Sequence, residues 1–112
     1  MSKYLIVKTT PTSGNSGGRY PVSADNILTI VSGVDLSIVY AGGVVVKITM
    51  IENIKIGDEG VASFFTSRIR TLQESANSTI EVNNIIPNVY AASGNAMKVA
   101  SISSCVLATG SC

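Results

Sequence analysis

Asp35-Leu36-Ser37-Ile38-Val39-Tyr40-Ala41-Gly42-Gly43-Val44-Val45-Val46-Lys47-Ile48-Thr49-Met50-Ile51 reads as two strands folded back on each other. Side chains of an extended chain alternate with period two, so Leu36, Ile38 and Tyr40 share one side of the first strand. In the return strand Val44, Val46, Ile48 and Met50 align, with Val45 and Ile51 opposite them. Between the two, Ala41-Gly42-Gly43 provides the conformational freedom of a tight turn. Just upstream, residues 27–31 are rich in β-formers and close on Ser32-Gly33. Together these segments predict a three-stranded antiparallel meander.

Moving toward the N-terminus, the cluster Ser23-Ala24-Asp25-Asn26 is a turn, preceded by a short extended Arg19-Tyr20-Pro21-Val22. Residues 10–18, Thr-Pro-Thr-Ser-Gly-Asn-Ser-Gly-Gly, combine turn formers with glycine and form a loop. Residues 3–9 make a first strand that is apolar on both faces.

Beyond the meander the period changes. Val61, Phe64, Phe65, Ile69, Leu72 and Ala76 recur at helical spacing, with Arg68, Arg70, Gln73 and Glu74 turned outward. Asp58 or a neighbour can cap the start of this helix and Asn77 can stop it. Residues 79–86 then read as a strand ending at Pro87, and residues 97–107 as a long final strand. The expectation is one α+β domain over residues 1–112, an antiparallel β-meander sheet with one amphipathic helix on one face, the sheet either strongly curled on itself or covered by a neighbour on the other.

The final strand poses a problem of sidedness. Simple alternation sets Met97, Val99, Ser101, Ser103, Cys105 and Leu107 against Lys98, Ala100, Ile102, Ser104 and Val106, and neither row is clearly polar. An apolar second face must curl on itself or be covered by a neighbour. Val45, Ile51, Lys98, Ala100 and Ile102 are therefore the candidate interface residues.

Composition points the same way. Of 112 residues 46% are hydrophobic and 13% charged, against roughly 25% charged in an average soluble domain. A small domain has a large surface for its volume, so this balance favours a homo-oligomer or another assembly partner. No apolar run is long enough to span a bilayer and no secretory signal is visible, which predicts cytosolic synthesis and makes the Asn77-Ser78-Thr79 sequon a chance match.

Chemistry is sparsely represented. There is no histidine, which removes Ser-His, Cys-His and most zinc mechanisms, and the seven acids fall mainly at turns and helix ends. An enzyme, a cofactor and a metal are not expected. Cys105 reads as a buried or idle thiol, since a bridge to Cys112 would staple only the chain end. The alternative to assembly is a small ligand- or nucleic-acid-binding module. It would use the loop Gly14-Asn15-Ser16-Gly17-Gly18-Arg19 with Arg68 and Arg70, although the loop lacks a P-loop ending and no helix follows it. With a net charge of +1 and scattered basic residues, nucleic acid is the weaker expectation.

In its length, its Met-Ser-Lys-Tyr-Leu-Ile-Val-Lys-Thr-Thr start, its Gly/Ser loop and the segment Val22-Ser23-Ala24-Asp25-Asn26-Ile27 leading into meander and helix, the chain resembles small uncharacterised structural or accessory proteins of tailed bacteriophages, especially marine ones. That resemblance implies a virion component or accessory phage protein, made in the host cytoplasm and incorporated in a virion. No motif is shared that would assign a role to an individual residue.

Overall fold

The computed structural model describes residues 2–11, 17–55 and 58–106. Eight strands and one helix follow in the order β1 (Tyr4–Lys8), β2 (Arg19–Ser23), β3 (Ile27–Ser32), β4 (Leu36–Tyr40), β5 (Val44–Met50), α1 (Gly60–Glu74), β6 (Thr79–Val82), β7 (Ile85–Tyr90) and β8 (Ala96–Val106). The fold is α+β, and the meander is β3, β4 and β5, paired antiparallel in that order. At its tightest turn Gly42 and Gly43 have φ of +96° and +87°, a backbone that side chains with a Cβ rarely adopt, and the Gly43 N–H closes the turn on the Tyr40 carbonyl at 3.2 Å.

The strands divide between two sheets. One has the order β3-β4-β5-β8-β7 and curls as an antiparallel half-barrel; the other is β2-β1-β6. Here the structure adds what local pattern does not contain: β1 pairs in parallel with β6, matching Tyr4 to Thr79 and Val7 to Val82 across the helix connection. The predicted strand over residues 79–86 is two strands. It breaks at Asn83 and Asn84, where the Asn84 N–H turns back onto Asn83 Oδ1 at 2.7 Å, and the chain passes from one sheet to the other. Pro87 lies inside β7 rather than ending it, which an edge strand tolerates because one side of its backbone has no ladder to break.

A β-bulge resolves the sidedness of the last strand. Thr49 pairs with Ser101 and Met50 with Val99, so Ala100 is the extra residue and the alternation of β8 reverses there. Met97 and Val99 before the bulge and Ile102 after it all turn to the core, while Ser101 and Ser103 are exposed on the outer face. Lys98, Ala100 and Ile102 do not form one row. Ile102 packs against the core opposite its cross-strand partner Ile48.

Helix α1 touches β3 and β7, the two edges of the half-barrel, and also β1 and β6. It buries Val61, Phe65, Ile69 and Leu72 and so closes the gap between the sheets over a single continuous core. Its start is held by Asp58, whose Oδ1 accepts from the Gly60 N–H at 2.8 Å. Its end falls at Ser75, two residues before Asn77, and Ala76 is exposed rather than on the packed face. The ammonium of Lys3 takes over the terminating role, donating to the Leu72 carbonyl at 2.9 Å and the Gln73 carbonyl at 3.2 Å as well as to that of Ser75.

Candidate functional site

The sequence nominates five residues for an apolar interface, and the structure separates them. Val45 is 4% exposed, beside Val39 and Cys105 on the neighbouring strands, so the chain itself covers it and it offers no free contact. Ile102 belongs to the core side, as described above. Ile51 is 45% exposed at the end of β5, and its N–H reaches the Lys98 carbonyl at 2.9 Å, which keeps Ile51, the half-buried Lys98 and the bulge residue Ala100 together. Cys105 is disulfide-bonded and half-buried on the outer face of β8, not the idle thiol its spacing suggests. Cys112 lies outside the described residues.

Of the three arginines of the alternative, Arg70 stands apart, whereas Arg68 lines a cavity of about 390 Å³ with Glu81, the ion-pair partner of Arg19. Arg19 on β2 forms an ion pair with Glu81 on β6, and Lys8 lies 4.0 Å from the same carboxylate. Arg68 stacks its guanidinium 5.3 Å from the centre of the Phe64 ring, which in turn meets Phe65 edge-on. Arg70, on another side of α1, lines a groove shared with β3. Residues 12–16 of the loop, including Gly14, lie outside the described residues. At its base the Gly18 N–H donates to Thr9 Oγ1 and the Thr9 N–H to the Gly18 carbonyl, both at 2.8 Å, so the Gly18 amide is already engaged.

Three further acids have structural partners. Asp25 accepts from the Lys3 backbone N–H at 2.9 Å, Glu52 from the Ser93 hydroxyl at 2.9 Å, and Asp58 from the Gly60 N–H at the start of α1. Burial pushes the Tyr40 phenol up to about 12, and its hydroxyl donates to the Ser23 carbonyl at 2.5 Å. Among the described residues no group of three or more Cys, Asp or Glu side chains could hold a metal ion, and no helix is long and apolar enough to cross a membrane.

The surface feature the sequence did not reveal is the free edge of β3. Leu28 is 69% exposed and Val31 49%, and Val34 in the turn that follows is 57% exposed. Beside this edge runs a groove of about 490 Å³ between Ile30 and Glu59, just before α1, with the α1 side chains Ala62, Thr66, Arg70 and Glu74. The strand itself was legible from its residues, but its place at a sheet edge follows from the strand order. No protein-family model, curated protein or solved structure matches the chain.

Proposed function

We propose that this protein is a non-enzymatic structural or assembly subunit that works by associating with copies of itself, in keeping with the phage virion component to which its sequence bears a resemblance. The observation that carries the reading is the set of large apolar side chains left at the surface of a charge-poor chain, with Leu28, Val34 and Tyr90 each more than half exposed. Support also comes from the acids, four of which are engaged by Lys3, Arg19, Ser93 or the start of α1 instead of converging on a pocket. A ligand- or nucleic-acid-binding module would need free arginines that converge, but Arg19 is neutralised by Glu81, Arg68 packs on Phe64, and Arg70 lies in a separate groove.

Light scattering after size exclusion, over a wide concentration range and at two salt levels, tests the reading. A discrete oligomer that persists on dilution and at high salt is the expected result. A monomer at every concentration would overturn it.

A further inference from the structure

Among the described residues four strands lie at sheet edges, and three of them carry a proline or a charged side chain that discourages pairing with another chain. Strand β2 has Arg19 and Pro21; β6 is four residues long and carries Glu81; β7 contains Pro87 and pairs irregularly with β8. Strand β3, Ile-Leu-Thr-Ile-Val-Ser, is bulged at Leu28 but pairs regularly from Thr29 to Ser32; it has neither charge nor proline and exposes Leu28 and Val31. Its open side meets the groove walled by α1, where Ala62, Ser63, Thr66 and Ser67 are small enough for a backbone to approach closely.

We propose that β3 pairs antiparallel with β3 of a second copy about a two-fold axis at Ile30, joining two half-barrels into one ten-stranded sheet. This rests on the self-association reading above and names the surface that accomplishes it. An axis at Ile30 preserves the faces of both strands: Ile30 opposes its own copy on the groove side, and Val31 opposes Thr29 of the second copy on the outer side. The helix orientation supports the same occupant. The Ser32 hydroxyl donates to the Asp58 carbonyl at 3.2 Å and Gln73 Nε2 to the Ala24 carbonyl at 3.0 Å, so α1 runs opposite to β3. Two-fold pairing therefore sets the two helices antiparallel and brings Arg70 of each copy toward Glu59 of the other, a complementary pair formed twice.

Sedimentation velocity on the full chain tests this. In Val31→Lys, and independently in Leu28→Lys, the dimer should weaken at least tenfold while far-UV circular dichroism and thermal midpoint stay as in the wild type; Ile51→Lys, on a different surface, should leave it intact. Glu59→Arg should weaken the dimer and Glu59→Arg with Arg70→Glu should restore it. If both lysine variants associate as the wild type does, edge pairing fails while self-association stands. If the wild type is monomeric throughout, both fail. Loss of the dimer in Ile51→Lys alone would move the interface to the β5 end.

Discussion

Lys3 shows how much one side chain can hold. Its ammonium meets the last carbonyls of α1, and its backbone N–H and carbonyl bond Asp25 and Ala24. Lys3→Met keeps the aliphatic stem and the backbone bonds but removes the charge at the negative end of the helix dipole. It should cost about 1–2 kcal/mol, read as a lower urea midpoint with an unchanged slope. Tyr40 supplies a pH signature. Below pH 10 its phenol is protonated in both states; between 10 and about 12 the unfolded chain ionises it while the folded chain holds the proton. Stability therefore declines as pH rises through that window. In Tyr40→Phe that part of the decline should vanish, and at neutral pH the variant should be less stable by about 1 kcal/mol because the Ser23 carbonyl loses its donor.

Strands and helix were largely legible in the sequence because local pattern specifies them. In β4 and on the packed face of α1 the buried residues obey periods of two and 3.6, whereas in β5 Val45 is buried and Val44 exposed against simple alternation. Where local pattern failed in β8, a register irregularity intervened. Read with strict alternation, β8 has no polar face; with one extra residue at Ala100 it sorts into a core side and a serine-bearing outer side. Deleting Ala100 makes the test direct. The deletion should turn Met97 and Val99 out of the core or force Ile102 out on the other side, so the loss should reach several kcal/mol, the range of large-to-small core changes. Ala100→Ser, which keeps the count, should stay within about 1 kcal/mol of wild type in the same urea titration. The candidate interface set suffered from the same cause, since Ile102 joined Lys98 and Ala100 only under unbroken alternation.

The whole molecule has one core, in which Leu5 and Val22 of the small sheet, Ile48 and Val99 of the half-barrel and Phe65 of the helix belong to the same cluster. Neither sheet has a second core to fall back on, so unfolding should be one transition, with tyrosine fluorescence and far-UV circular dichroism tracing coincident curves in urea; two separated midpoints would contradict a shared core. Strand order was the least legible level, because it depends on which distant segments meet, and the free edge of β3 was hidden with it. The parallel partners Tyr4 and Thr79 lie 75 residues apart by their numbering. At about 5–20 residues per second on the ribosome, β1 is synthesised roughly 4–15 seconds before β6. During that interval β2 can already pair with one edge of β1, with Leu5 beside Val22. The other edge stays without its ladder partner until most of the chain has been made, so for much of translation β1 is an open strand edge.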